Sequence, residues 1–462
     1  MPAAGGKYKT MAAKSSKISG VRIEKLIYGG DGLAHHDGST VFVPFVLPEE
    51  RVDAEVAEQK KKFVRANLDS VIEPSPARVA ARCPHFAVCG GCHYQHIPCD
   101  AQLQYKTEIL RETLRRIGHM DWTAGIRVHS AQPWGYRNRS QWKVRPLGDF
   151  KSDDSAAAGQ NGAKLGIGYF EPHSTALCAV HDCPILSPPL LKTLLALRDA
   201  LAAGALPRAL HEIEAFASTE TPTSKPKLLL TATFAGFSSR STELAETIRA
   251  AVPDTESLLL HDPSHERMEL SGPGFIEYEI QDSKYRVGHF SFFQVNDFLV
   301  AGLLNAVAGS VEGGQLAFDL FAGVGLFSVP LAQRFSHVLA VEANPAAARD
   351  LETNTRGHGS IEVRTAGVEH FLDQYLGRRK NEDRPDLVVL DPPRAGLTPG
   401  AVDRLIRLAP SRITYVSCEP PTLARDLKLL REGGYEISDV QLFDLFPQTF
   451  HIETLAQLRK RR

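Results

Sequence analysis

Apolar and polar residues set a short-strand rhythm in the first part of the chain. Val21-Arg22-Ile23-Glu24-Lys25-Leu26 reads with a two-residue period, the mark of a half-buried strand. Gly29-Gly30-Asp31-Gly32 follows as a turn, then Val41 to Val46, Arg51 to Val56 and the basic Lys60 to Ala66 read as further strands. Closely spaced short strands with turns between them predict a small β-barrel over residues 14–73. A 3.6-residue period then predicts helices over Asp100 to Ile117 and around Leu190 to Leu210, the latter amphipathic because Lys192, Arg198 and Asp199 interrupt it. Lys225 to Thr233 reads as a strand in a mixed α+β region that runs to residue 286. From Phe290 the pattern becomes strand, helix, strand, helix. Apolar runs end at Phe321, Glu342, Asp391 and Val416, which predicts a doubly wound α/β sheet over residues 287–462.

Bulk properties narrow the class without choosing a function. Lysine and arginine number 53 against 54 aspartates and glutamates, so any nucleic-acid contact must come from local basic patches. Two such patches stand out: Lys60 to Ala66 with its Phe63, and Arg137, Arg139, Lys143 and Arg145 between Tyr136 and Trp142. Each is read either as an RNA contact or as a solvated strand. Met1 to Lys17 is small, polar and basic and reads as a tail, and Lys151 to Lys164 reads as a flexible loop. The first residues lack the apolar core of a secretory signal, and no stretch reads as a membrane span. The seven cysteines are clustered and odd in number, which fits a reducing cytoplasm and metal or catalytic roles.

The candidate chemistry lies at the ends of the predicted strands. Asp319 is followed by Gly323 and Gly325, a turn that lets a ligand approach the backbone closely, and Glu342 ends the next strand where ribose hydroxyls are commonly held. Together these imply a nucleotide cofactor, either NAD or S-adenosylmethionine. Ser328 stands where a full G-x-G-x-x-G would need glycine, which disfavours NAD. Asp391-Pro392-Pro393 forms a rigid turn that turns a carboxylate toward the cofactor crevice. Cys418, in Tyr415-Val416-Ser417-Cys418-Glu419-Pro420, sits on a loop after a strand with no other cysteine near it in sequence. It is either a buried structural thiol or a nucleophile. Upstream, Cys83, Cys89 and Cys92 have C-x5-C-x2-C spacing, compact enough to wrap one metal centre with a fourth ligand from elsewhere. A four-thiolate zinc site is the rival, with His85, His93 and His96 as substitutes.

Taken together, Ser291-Phe292-Phe293-Gln294-Val295-Asn296, Asp319 to Pro330, Asp391 to Gly396, Tyr415 to Pro420 and His451-Ile452-Glu453-Thr454 resemble the RNA uracil-5-methyltransferase family. The resemblance covers most of the chain. It implies a class I, Rossmann-like methyltransferase domain, an N-terminal OB-like barrel of the TRAM type, and a central α+β iron–sulfur domain over residues 74–286. By the same resemblance, Gln294, Phe321, Gly323, Glu342 and Asp391 serve the S-adenosylmethionine site, Cys418 is the nucleophile and Glu453 the proton-abstracting base. Cys83, Cys89, Cys92 and Cys183 become ligands of a 4Fe–4S cluster, with Cys178 competing for the fourth place and Cys99 left structural. Some members carry asparagine where this chain has Leu326, which removes one polar cofactor contact but not the loop.

The activity so implied is methylation of uridine carbon 5 in RNA, with 23S ribosomal RNA preferred over transfer RNA because of the barrel and the cluster. The thiol would add to carbon 6, carbon 5 would take the methyl group, and Glu453 would remove the carbon 5 proton. The target uridine would be single-stranded or flipped out. The expected partners are RNA and S-adenosylmethionine, with no membrane and a monomeric, cytoplasmic chain. An amino-methyltransferase using the Asp-Pro-Pro turn and a non-catalytic RNA-binding factor are the alternatives.

Overall fold

The computed structural model describes residues 17–147, 164–220, 225–236, 241–309, 311–378 and 384–461. The expected tail, apart from Lys17, and nearly all of the Lys151 to Lys164 loop lie outside these residues. Two compact units are present, the first made of residues up to Ala80 together with His93–Pro98, the second of Ala81–Cys92 and Cys99–Arg462.

In the first unit, β1 (Lys17–Arg22), β2 (Lys25–Leu26), β3 (Gly32–His36), β4 (Ser39–Val43), β5 (Arg51–Gln59) and β6 (Phe63–Glu73) form a sheet of order β1-β5-β6-β4-β3-β2. β3 also packs on β1, so the sheet curls toward the expected barrel, around Val21, Ala34, Val41, Val43, Val52 and Val64. The expected strands at Val41 to Val46 and Lys60 to Ala66 are trimmed. β4 stops before Pro44, which has no N–H for the ladder, and Phe45 takes φ 61°. Lys60 to Lys62 form the turn into β6, closed by the Lys60 N–H on the Phe63 carbonyl. The basic and aromatic residues still converge, with the Arg65 guanidinium 5.8 Å from the Phe42 ring centre and 5.9 Å from that of Phe63.

The second unit begins with α1 (Cys99–Arg116) and the short β7 (Arg127–His129). A seven-stranded sheet follows among the described residues, built from β8 (Arg139–Pro146), β9 (Leu165–Phe170), β10 (Leu177–Ala179), β11 (Leu210–Ala217), β12 (Leu228–Phe234), β13 (Thr255–Asp262) and β14 (Arg267–Ser271). α2 (Pro188–Ala202) and α3 (Ser241–Ala251) accompany it, and β15 (Phe275–Ile280) pairs with β16 (Ser283–Gly288) as a hairpin. The basic run on β8 fits neither sequence reading cleanly. Arg139 donates to Glu214 at 2.5 Å and to the Ser291 carbonyl, Lys143 pairs with Glu212, and Arg145 donates to the His211 carbonyl. Cross-strand pairing with β11 thus engages these cations inside the fold.

After α4 (Val300–Leu304), the doubly wound region follows as expected: β17 (Gly314–Leu320), α5 (Ser328–Leu331), β18 (Phe335–Glu342), α6 (Pro345–Asn354), β19 (Ile361–Thr365), α7 (Val368–Arg378), β20 (Leu387–Leu390), α8 (Pro399–Leu408), β21 (Arg412–Ser417), α9 (Pro420–Glu432), β22 (Tyr435–Phe443) and β23 (Glu453–Lys460). The sheet order is β19-β18-β17-β20-β21-β23-β22-β7, parallel from β19 to β21 and closed by antiparallel β23. Leu387, Val388, Val389 and Leu390 are all fully buried, as a parallel strand covered on both faces requires. Helix starts are signalled locally: Thr398 caps α8 by accepting from the Ala401 N–H, and Pro399 follows at its first turn. The apolar helix expected from Leu326 is a single turn, because only nine residues separate Gly325 from Phe335, where the next strand starts. One core joins the segments before and after residue 286, with Phe216 and Leu229 clustering with Tyr278, Phe293, Leu303 and Val389.

Candidate active site

Parallel pairing brings the strand ends to one edge. Leu320 lies opposite both Val341 and Leu390, and Leu390 opposite Tyr415, so Phe321, Glu342, Asp391 and the Ser417-Cys418 turn emerge side by side. Strand order reverses between β17 and β20, and the crevice outside such a reversal is where open α/β sheets bind ligands. Phe321 leaves β17 at φ 65°, a left-handed conformation that is uncommon outside glycine and points to a constrained site. Gly323 has φ 56°, and a Cβ there would meet nothing within 4 Å, so the loop keeps an open wall. Its N–H donates to Glu342 Oε2 at 2.8 Å, while the Asn344 N–H takes Oε1 at 2.7 Å. Gln294 lies on the buried segment after β16, its carbonyl accepting from Asn138 Nδ2 at 3.4 Å.

Antiparallel pairing completes the site. Ser417 on β21 faces Thr454 on β23, so one step further the register brings Cys418 and Glu453 together. They are electrostatic neighbours. Burial pushes the Cys418 thiol up to about 12, with Glu453 adding to the rise and Arg394 opposing it. Burial also holds Glu453 well above the usual carboxylate range, with Asp391 raising it further and Arg394 again opposing. Asp391 is pushed up to about 7 by burial and by Asp319. Asp319 reaches about 7 through burial and the Glu342 charge, against a hydrogen bond from Ser328 Oγ at 2.5 Å. Its Oδ1 is buried without a hydrogen-bond partner. Glu342, Asp319, Asp391, Glu453 and Cys418 therefore form a chain of acids in which each neighbour resists the next ionisation. Carboxylates gathered so, with one oxygen unsatisfied, suit a cationic ligand such as a sulfonium. Sequence reasoning set Asp319 at the head of the glycine turn without giving it a role, and it gave Arg394 none either. The signals were an arginine directly after Asp-Pro-Pro and an acid inside an otherwise apolar strand.

The segment leading to Glu453 is held from several sides. Lys106 of α1 is fully buried and donates to Asp444 Oδ1 at 2.6 Å and to the Phe446 carbonyl at 3.0 Å. Gln102 exchanges two bonds with Gln448, Asn296 donates to the Leu445 carbonyl, and the Tyr136 hydroxyl donates to the Pro447 carbonyl.

The upstream cysteines are electrostatic neighbours of one another. Cys83, Cys89, Cys92, Cys178 and Cys183 are free thiols. Burial pushes Cys89 up to about 12, aided by Cys178, Cys183 and Cys83, and it pushes Cys183 up to about 12, aided by Cys92 and Cys83. Cys178 is also raised, chiefly by burial, with Cys83 adding to the rise and Cys89 opposing it. Thiols that hinder one another's ionisation would be relieved by a cationic centre. No group of three or more such side chains among the described residues has a ready ligating geometry. Of the histidines suggested as zinc ligands, His85 accepts from the His181 N–H, and His96 bonds the Val46 carbonyl within the first unit. Cys99 is exposed at the start of α1, and its Sγ accepts from Gln448 Nε2.

Comparison with known proteins agrees with this geometry. The tRNA (Uracil-5-)-methyltransferase family model matches residues 275–461, and the TRAM domain model matches residues 17–68. A 23S rRNA (uracil(1939)-C(5))-methyltransferase, RlmD, of Alkalilimnicola ehrlichii is 32% identical over 95% of this chain and 96% of its own length. The protein of the same name from Klebsiella pneumoniae is 31% identical over 96% of each chain. The crystal structure of the Pyrococcus abyssi tRNA (uracil-54, C5)-methyltransferase with S-adenosyl-L-homocysteine superposes with a TM-score of 0.70 at 26% identity, covering 96% of this chain and all of that one. With the TRAM and methyltransferase regions both matched and relatives 31–32% identical over nearly the whole chain, the chain belongs to the RNA uracil-5-methyltransferase family, enzymes that depend on S-adenosylmethionine.

Proposed function

We propose that this protein methylates carbon 5 of a uridine in 23S ribosomal RNA through a covalent adduct on Cys418. The observation that carries this reading is the β21–β23 register, which sets a thiol and a buried carboxylate side by side at the cofactor crevice. Full-length likeness to proteins named for 23S rRNA supports the ribosomal substrate. The tRNA reading draws on the Pyrococcus abyssi enzyme, which is less similar in sequence.

Bound S-adenosylmethionine supplies an activated methyl on a positive sulfonium, so methyl transfer needs no metal. Gly323 and Phe321 would shape its wall, Glu342 would hold its ribose, and Asp391 and Gln294 would orient it. The Cys418 sulfur adds to carbon 6 of the uracil, which makes carbon 5 nucleophilic. After carbon 5 takes the methyl group, Glu453 removes its proton, the carbon 5–carbon 6 double bond returns and the thiolate leaves. α9 begins at Pro420, two residues after the cysteine and with Glu419 at its N-cap, so its positive end favours the thiolate once substrate is in place. The Arg65, Phe42 and Phe63 group on the barrel would contact RNA. Cys83, Cys89, Cys92 and Cys183 would hold a 4Fe–4S cluster in a structural role.

The test incubates purified protein with labelled S-adenosylmethionine and either 23S rRNA or tRNA, then identifies the labelled nucleoside. 5-Methyluridine in 23S rRNA alone is the expected result. Label in tRNA moves the substrate, and label on nitrogen overturns the mechanism. For the thiols, anaerobically prepared protein should carry iron and sulfide that Cys183→Ser loses and Cys178→Ser keeps; stoichiometric zinc instead would reject the cluster.

The acid row predicts a pH dependence. Asp319 and Asp391 hold their protons to about pH 7, above the usual carboxylate value. Between about pH 4 and 7 the unfolded chain therefore binds fewer protons than the folded one, and stability of the ligand-free protein falls as pH rises. Affinity for the cationic cofactor moves oppositely, because the row gains negative charge across the same window. Calorimetry should show the Kd for S-adenosylmethionine dropping roughly tenfold or more between pH 5.5 and 7.5. A flat profile would mean that these carboxylates do not meet the cation.

A further inference from the structure

On α6, Asp350 is 3% exposed. Aspartate is a poor helix former, so its presence there calls for another reason. Its carboxylate is fully engaged with the end of β16 and the start of the segment that follows it. Oδ2 accepts from the Gly288 N–H and from Ser291 Oγ, both at 2.7 Å, and Oδ1 accepts from Arg286 Nε at 2.8 Å. Gly288 is fitted to this contact, since a Cβ there would sit 2.9 Å from Asp350 Oδ2.

The same helix holds the segment at two more places. Asn354 accepts from the Arg286 N–H at 2.7 Å and donates to the carbonyls of Arg286 and Val324 at 2.9 and 2.8 Å. At the other end, Asn344 donates to the Phe290 carbonyl at 3.3 Å and bonds Glu342 through its N–H. Val324 belongs to the glycine loop, Glu342 precedes α6, and Gln294 lies three residues beyond Ser291. One face of α6 therefore contacts both the glycine-loop wall and the Phe290 to Gln294 wall of the crevice.

We infer that Asp350 is a positioning residue for the cofactor, the buried carboxylate that ties the Gln294 segment to the helix that follows Glu342. The inference rests on the S-adenosylmethionine site proposed above. Pinned at the end of β16 by two donors and at Ser291 by a third, the loop is set before the ligand arrives, so binding need not order it. Without them, the segment must be ordered at the moment of binding, and affinity for the cofactor falls while the reacting groups on β21 and β23 are untouched.

Asp350→Asn, Asp350→Ala and Ser291→Ala separate this from a purely structural role. Ser291→Ala removes one bond and leaves no unpaired buried charge donor, so it keeps the test alive where Asp350→Ala fails to fold. Calorimetry should show the Kd for S-adenosylmethionine rising about tenfold in Ser291→Ala and further in Asp350→Ala, with Asp350→Asn between wild type and alanine. The KM for the cofactor should rise in parallel, while kcat at saturating cofactor and the KM for RNA stay within about twofold. Folded variants that bind the cofactor as wild type does would overturn the inference, as would variants in which kcat and both KM values worsen together with thermal stability. Wild-type protein that binds no S-adenosylmethionine would instead reject the underlying site.

Discussion

Cys418→Ala is expected to lose methyl transfer by at least about 10⁴-fold while still binding cofactor and RNA. Uracil carbon 5 is too weak a nucleophile to attack a sulfonium unaided, so removing the sulfur removes the chemical step, not a share of binding. The decisive measurement uses RNA carrying 5-fluorouridine and labelled S-adenosylmethionine. Fluorine cannot depart as a proton, so the wild-type enzyme should stop as a methylated protein–RNA adduct that survives denaturing electrophoresis. Cys418→Ala should give none. Full turnover by this variant would point to transfer onto nitrogen through the Asp-Pro-Pro turn and would remove Cys418 from the mechanism.

The second large effect belongs to Glu453. Replacing it by glutamine preserves shape and removes the base, so turnover should fall by roughly 10²- to 10⁴-fold, the usual worth of general base catalysis. The form of the loss is more informative than its size. Addition and methyl transfer precede proton removal, so natural uridine RNA should now accumulate a methylated adduct that wild type resolves. Stability should hold or rise, because glutamine relieves a buried acid that Asp391 already crowds. Wild-type turnover in Glu453→Gln would hand the proton to another group, with Asp391 the nearest acid on the row.

The residues differ in how far the sequence made them readable. β17, β18, β20 and β21 were visible as apolar runs because a strand buried on both faces cannot hide its composition. Cys418 and Glu453 were visible as motifs, but their meeting depends on β23 inserting beside β21, a register that no local pattern encodes. The helix after the glycine loop was overestimated, because apolar content says nothing of how soon the chain must return to the sheet. Glu212 and Glu214 decide the fate of the basic run on β8 from a strand distant in sequence. Lys106 read only as a charged residue on a helix, and its burial against Asp444 appears only in three dimensions. Asp350 was silent for the same reason: its three donors lie more than fifty positions upstream.

The half-buried setting of Cys418 also bears on how the enzyme withstands damage. Peroxide and electrophilic reagents attack the thiolate, and the proportion of thiolate sets the rate. With its pKa pushed up to about 12 by burial and by Glu453, the resting residue is almost entirely protonated near neutral pH. On the mechanism proposed above, the surroundings that hold the thiol protonated until substrate arrives would also shield the enzyme between turnovers, and an irreversible inhibitor aimed at this sulfur would work best as a mimic of the nucleobase.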